Sequence, residues 1–250
     1  MADKDTYRLG YWSAVLVLTW VIVFGLCMVL GLFGVSSGQL SFLAGLLLAP
    51  SFIGLMAAIH QQTAAPKRIW SLLGLEFAVI YAVLVDIVYY IQLTVTRTTV
   101  GGAANGLAGA AASGASVIAL QQFVFTPGTA VFALDMLGYA FMCLATWAAA
   151  YSFTGKDGLS TWIKRLFILH GVLVFPTILA PAMMAGTGAG GRAGGAVGGA
   201  AGAAGAAASG AGDKLGYFAL LFWCAIFIPL TLTVMRHFRL KMRAGGEVEA

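Results

Sequence analysis

Long apolar runs alternate with short polar connections along the chain. Each run holds about twenty residues or more, which is the length a helix needs to cross the hydrocarbon core of a bilayer. The runs comprise residues 10–33, 40–59, 69–95, 129–151, 162–183 and 215–235. This pattern predicts six transmembrane helices, and hence an all-α, polytopic membrane helix bundle that forms one membrane domain over residues 1–250.

Two stretches rich in glycine and alanine, residues 101–116 and 185–212, interrupt the apolar pattern. Both are poor in the large apolar side chains that make a span. Glycine disfavours a helix by about 1 kcal/mol per residue relative to alanine. We therefore expect the first stretch to be a flexible linker and the second a disordered loop, rather than a seventh span.

Composition supports the membrane class. Hydrophobic residues make up 60% of the chain and charged residues 9%, whereas ordinary soluble domains carry about 25% charged residues. The net charge of +5 comes from Lys and Arg residues near the ends of the apolar runs, so we expect contacts with the bilayer and not with nucleic acid. Cys27, Cys143 and Cys224 lie inside apolar runs without ligand spacing, so no disulfide, metal site or cofactor is predicted.

The basic residues also predict an orientation. Eleven Lys and Arg residues lie at run ends that would share one face of the membrane, and three lie at the other. An excess of Lys and Arg marks the cytoplasmic face. We therefore expect the N- and C-termini in the cytoplasm, both glycine- and alanine-rich stretches outside, and the protein in the inner (plasma) membrane.

The third run carries several polar side chains, among them Glu76, Asp86, Tyr90 and Gln92. Carboxyl groups are costly in a bilayer and usually face the bundle or a water-filled cavity. At about 100° per residue, Glu76, Asp86 and Tyr90 fall within an arc of about 80° on the helix. We expect this arc to face the bundle.

Polar residues of two other runs lie at matching depths. Asp135 enters the fourth run from the outer side, and the helical rise places it in the same half of the bilayer as Asp86. Glu76 lies in the inner half, at a depth that His170 of the fifth run could share. The candidate intramembrane polar site therefore consists of Asp86, Asp135, Glu76, Tyr90, Gln92 and His170.

Two functions fit this set. Because a buried carboxyl group favours its protonated form, the acids could exchange protons during proton- or cation-coupled transport of a small solute. Alternatively, neutral acids hold helices together in a non-transporting structural or assembly component of a membrane complex, with a second copy or another membrane protein as partner. No catalytic motif stands out, and the GxGxxG at residues 186–191 follows no strand, so the sequence favours a protein that is not an enzyme.

Two segments carry a resemblance to a known group of proteins. Residues 69–97 and 132–153 resemble an uncharacterised family of six-span prokaryotic integral membrane proteins. The elements that carry it are Tyr90-x-Gln92-Leu93-Thr94-Val95, Leu134-Asp135-x-Leu137-Gly138-Tyr139 and the WIKRLF of residues 162–167. The resemblance implies the six-span topology and marks Gln92 and Asp135 as recurrent polar positions, but it implies no activity.

Overall fold

The computed structural model describes residues 4–35, 37–96, 122–125, 128–155, 157–186 and 211–246. Within these ranges the chain forms helices and no strand. The helices are α1 (Lys4–Leu32), α2 (Gly38–Gln62), α3 (Arg68–Ile91), α4 (Ala130–Ala150), α5 (Gly158–Val172), α6 (Val174–Gly186) and α7 (Ala211–Gly246). A short 3₁₀ turn, Ala65–Lys67, precedes α3, and a π-helical turn, Gln92–Thr96, extends it.

Six helical elements are long and apolar enough to cross a membrane, with α5 and the first part of α6 together forming the fifth. The predicted all-α class is therefore confirmed for the described residues, and so is the presence of six helical elements long and apolar enough to span a membrane. Helix α1 begins before its predicted span, at Lys4, and α7 continues through the basic tail to Gly246. The predicted linker at 101–116 lies outside the described residues. So do residues 187–210 of the loop predicted at 185–212, whose first two residues belong to α6 and whose last two belong to α7.

The spans form a closed ring around a packed interior. Each of α1, α2, α3, α4 and α5 contacts the next, and α7 lies between α5 and α1. Helix α6 packs against α4 as well. The first and last helices of the chain are thus neighbours, and side chains from every span can reach the interior.

Small residues set how closely these helices approach. A Cβ atom at Gly74 of α3 would lie 2.8 Å from the carbonyl oxygen of Ala145 in α4, so the two backbones nearly touch there. At Gly45 of α2, an added Cβ would overlap the ring of Tyr89. Membrane helices associate through such contacts because lipid tails leave little hydrophobic drive for helix pairing.

Aromatic side chains fill the interior of the ring. Phe52 of α2 contacts Tyr81 of α3 and Phe227 of α7, with ring centroids 5.8 and 6.1 Å away. Trp223 stacks on Phe227 with centroids 4.9 Å apart. Tyr139 of α4 completes the set by contacting Tyr81 and Trp223. We call these five side chains the aromatic centre.

One end of the ring collects basic residues. Gly10 packs against the ring of Phe238, and His237 Nε2 lies 3.0 Å from Gln62 Oε1, so the start of α1 and the ends of α2 and α7 meet there. We call this the basic end. Its Lys and Arg residues are Lys4, Arg8, Lys67, Arg68, Lys164, Arg165, Arg236, Arg239, Lys241 and Arg243.

The outer surface of the ring is apolar. Large exposed side chains there include Leu9, Trp12, Leu16, Leu26, Val83, Ile87, Phe175, Phe218 and Phe222. Soluble monomers rarely expose a contiguous apolar area larger than a few hundred Å². A belt of this kind fits contact with lipid tails, in agreement with the length of the spans.

Candidate functional site

Asp135 lies in the first half of α4 and is buried in the bundle. Thr129 caps this helix, since its side-chain oxygen accepts a hydrogen bond of 3.3 Å from the Phe132 N–H. Only 2% of Asp135 is exposed, and its Oδ1 has no hydrogen-bond partner in the described part of the chain. Burying a polar atom without a partner costs roughly 1–3 kcal/mol. This carboxyl group is therefore a costly polar feature of the described interior.

Three tyrosines surround the Asp135 carboxyl group. The hydroxyls of Tyr89 and Tyr139 lie 2.9 Å apart, and both tyrosines interact electrostatically with the Asp135 carboxyl group. Tyr81 is fully buried, and its hydroxyl has no hydrogen-bond partner among the described residues. We call Asp135, Tyr81, Tyr89 and Tyr139 the carboxyl–tyrosine cluster.

The cluster can hold one exchangeable proton in two hydrogen-bond arrangements. With Asp135 ionised, Tyr89 donates to the carboxylate and Tyr139 donates to Tyr89. With Asp135 protonated, its O–H can donate instead, and the order of donors reverses because each hydroxyl carries a single proton. The Oδ1 atom remains open to a further donor in either arrangement.

Asp86 of α3 lies at the edge of this cluster. The residue is half-buried, and its Oδ1 is buried without a hydrogen-bond partner in the ranges described. Tyr81 is close enough to interact electrostatically with both Asp86 and Asp135. No hydrogen bond between the two carboxyl groups is seen in the described residues. The structure thus arranges the two acids around Tyr81 and does not join them directly.

The prediction that Glu76 and Tyr90 face the bundle is wrong. Glu76 is exposed and Tyr90 is 61% exposed on the outer surface of α3. The packed face of this helix instead carries a row of small residues, namely Ser71, Gly74, Ala78 and Ala82. Small side chains decide which face packs because they allow close backbone contact. Glu76 and Tyr90 therefore lie outside the cluster.

His170 is buried but holds a complete set of hydrogen bonds. Trp223 Nε1 donates to His170 Nε2 at 3.0 Å, and His170 Nδ1 lies 2.8 Å from Thr146 Oγ1. Since the indole nitrogen can only donate, Nε2 is unprotonated and the proton of the neutral ring is on Nδ1. Protonating the ring would break the bond from Trp223. His170 therefore joins α4, α5 and α7, and its partners are Thr146 and Trp223 rather than Glu76.

Gln92 has a structural contact at the end of α3. It is buried, and its Nε2 donates to the Phe123 carbonyl oxygen at 2.8 Å. A second glutamine, Gln122, accepts a hydrogen bond of 3.0 Å from the Ala130 N–H through its side-chain oxygen. The two amides therefore tie the described segment before α4 to the ends of two helices.

Sequence reasoning missed the three tyrosines as site residues. A signal for two of them exists, because Tyr81, Val85 and Tyr89 recur every four residues and so share one face of α3. That face adjoins the row of small residues. Tyr139 follows Asp135 by four residues in α4, which places both on one face of that helix.

The described residues contain no group of three or more His, Cys, Asp or Glu side chains that could hold a metal ion. The three cysteines are buried and unpaired. Comparison of the chain with family models, curated proteins and solved structures finds no match. The resemblance to six-span prokaryotic membrane proteins stays a prediction.

Proposed function

We propose that this chain is a multi-pass membrane protein that couples proton binding at Asp135 to the movement of a small solute. The observation that carries the proposal is the buried Oδ1 of Asp135, which has no hydrogen-bond partner among the described residues although three tyrosines interact electrostatically with this carboxyl group. Intramembrane ionisable residues commonly mark ion paths and proton relays. Binding and loss of a proton would rearrange the hydrogen bonds of the cluster.

The described structure represents a state that is closed at its centre. The packed rings of the aromatic centre occupy the interior of the ring of helices, so passage of a solute through this interior requires these side chains to move. Two features of the backbone suit such a movement. The fifth span is broken at Leu173 between α5 and α6, and the π-helical turn Gln92–Thr96 follows the cluster on α3. Such π turns are frequent at functional sites.

The orientation belongs to the same proposal. The basic end faces the cytoplasm, with both termini on that side, and the chain resides in the plasma membrane. The three natural cysteines are buried, so a single introduced cysteine reports on accessibility. A cysteine at position 241 should react with an impermeant reagent only after the membrane is opened. Reaction at that position in intact cells would reverse the orientation.

The alternative is a non-transporting structural or assembly component of a membrane complex, which packs with a second copy or another membrane protein. The packed aromatic centre and the fully bonded His170 favour this function, because both describe an interior built for stability. The two functions differ in what the Asp135 carboxyl group does. A structural role needs its hydrogen bonds, whereas proton coupling needs its ionisation.

Flux in reconstituted liposomes separates the two functions. The wild-type protein is compared with the variants Asp135→Asn and Glu76→Gln. A gradient of one small solute at a time, from a panel of solutes, is imposed across the vesicle membrane, and a pH-sensitive dye inside the vesicles reports proton movement. Glu76→Gln is the matched control, because it removes a carboxyl group from a span at an outward position. We expect proton movement with wild type and Glu76→Gln and none with Asp135→Asn. Absence of flux with all three proteins would leave the structural function, and equal non-zero flux with all three would show that Asp135 does not couple the transport.

A further inference from the structure

A cavity of about 480 Å³ opens at the basic end, apart from the carboxyl–tyrosine cluster. Its wall comes from the start of α1, the end of α2, the connection between α4 and α5, and the last turns of α7. Small-molecule sites usually measure about 300–1,000 Å³. The cavity therefore has the size of a binding site, and its place at the span ends corresponds to the level of lipid headgroups.

The wall of the cavity carries charges of both signs. Asp157 and Lys241 both line the cavity, and His237 interacts electrostatically with both. Neither Asp157 nor Lys241 forms an ion pair in the described part of the chain. Hydrogen bonds to Asp157 from the Ser160 N–H and hydroxyl, at 2.9 and 2.7 Å, lower the pKa of the carboxyl group. Asp157 is therefore ionised at neutral pH and keeps lone pairs for a further donor.

One polar atom of the cavity wall lacks a hydrogen-bond partner among the described residues. The Oγ of Ser152 is buried, lines the cavity and has no hydrogen-bond partner in the described ranges. Apolar side chains of Ile59, Phe153 and Leu240 make up another part of the wall. The cavity thus offers a negative group, a positive group and a hydroxyl around a partly apolar space.

We propose that this cavity binds a small zwitterion of the phosphoethanolamine type, with its ammonium group at Asp157 and its phosphate at Lys241. A primary ammonium group supplies the N–H donors that a carboxylate accepts. The phosphate matches the surplus of positive charge at this end of the ring. The same chemistry occurs in a free solute and in the headgroup of a lipid. The inference is independent of proton coupling, because the cavity shares no residue with the carboxyl–tyrosine cluster.

The free-solute arm uses the full chain in detergent. O-phosphoethanolamine is titrated calorimetrically, with ethanolamine alone and inorganic phosphate alone as probes that carry one of the two charged groups. We expect measurable binding of O-phosphoethanolamine and at least about tenfold weaker binding of each single-group probe, because each of them loses one charged contact. In the lipid arm, the protein is extracted from nanodiscs made of phosphatidylethanolamine or of phosphatidylglycerol. Native mass spectrometry then measures which lipid stays bound to the protein.

Three variants give the test its specificity. Asp157→Asn keeps the helix cap, since Asn caps helices as well as Asp does, but removes the negative charge. Lys241→Gln removes the positive charge from the wall of the cavity. Arg239→Gln is the matched control, because Arg239 lies on the same helix and is exposed but does not line the cavity. We expect Asp157→Asn to weaken binding about tenfold, Lys241→Gln less, and Arg239→Gln not at all.

The two arms distinguish the source of the zwitterion. Binding in the solute arm alone supports a free solute, and retention of phosphatidylethanolamine alone supports a lipid headgroup. Absence of binding in both arms overturns the proposal. Inorganic phosphate binding as tightly as O-phosphoethanolamine, or equal weakening by Arg239→Gln, also overturns it.

Discussion

His170 and Asp135 are both buried in the same ring of helices, yet their surroundings differ. Both nitrogens of His170 have partners, one in α4 and one in α7. Asp135 keeps one oxygen without a partner among the described residues. A polar side chain with all its bonds made stabilises one arrangement of helices, whereas one that lacks a bond has a reason to change its protonation or its neighbours. The contrast separates a structural polar group from a candidate functional one, although both are equally hidden from water.

The largest effect on stability should come from His170→Ala. This change leaves a void beside Phe227 and removes the acceptor for the Trp223 N–H. We expect a loss of about 2–4 kcal/mol in the free energy of unfolding, from cavity formation and the unpaired donor together. Unfolding in SDS–detergent mixtures, followed by tryptophan fluorescence, measures the loss. A change below about 1 kcal/mol would show that the contrast with Asp135 is not one of stability.

A smaller effect isolates the hydrogen bond itself. In a double-mutant cycle of His170→Phe and Trp223→Phe, we expect a coupling energy of about 1 kcal/mol, because interhelical hydrogen bonds in membranes average about 0.6 and reach about 1.7 kcal/mol. The same unfolding assay applies to all four proteins. A coupling energy of zero would mean that packing, and not the bond to His170 Nε2, joins α5 and α7.

Asp135→Asn should change stability by less than about 1 kcal/mol, in either direction. Asparagine has nearly the same size as aspartate, and its side-chain oxygen can accept a hydrogen bond from Tyr89. Its amide nitrogen adds donors close to the Tyr81 hydroxyl, which has no hydrogen-bond partner among the described residues. The SDS unfolding curve of this variant should nearly overlay that of wild type. A large destabilisation would indicate that the carboxyl group is structural, as His170 is.

Asp157 provides the smallest effect, at an exposed position outside the spans. The hydrogen bonds from Ser160 lower its folded-state pKa. Its contribution to stability is therefore complete above the ordinary Asp pKa of about 3.9 and is lost as the pH falls through the lower folded-state value. Wild-type protein should lose slightly more stability than Asp157→Asn between pH 5 and pH 3. Parallel stability curves over this range would contradict the assignment.

The fold was more predictable than the site because helices depend on residues that are close in sequence, whereas the site brings together residues that are far apart in sequence. Six helices of membrane-spanning length follow from local hydrophobicity, and the structure has six helical elements that are long and apolar enough. The prediction of the inner face of α3 was wrong because this helix is apolar almost all round. The carboxyl groups are the clearest polar signal in its sequence, and they favoured the face that carries them. The small residues Gly74, Ala78 and Ala82 carried the decisive signal.

The partners of His170 could not be read from the sequence. The bond between His170 and Trp223 joins residues 53 positions apart, on either side of a stretch without apolar pattern. Only the closure of the ring brings them together. The same holds for Tyr89 and Tyr139, which are 50 positions apart.

Closure of the ring by α7 has a consequence for how the protein is made. Helix α1 is synthesised before α7, but the side chains that cover Gly10 and Gly31 are Phe238 and Tyr217 of α7. Until α7 has been made, these two glycines of α1 lack their packing partners. The ring therefore closes only after α7 is made, and α1 waits for these contacts while α2 to α6 are synthesised.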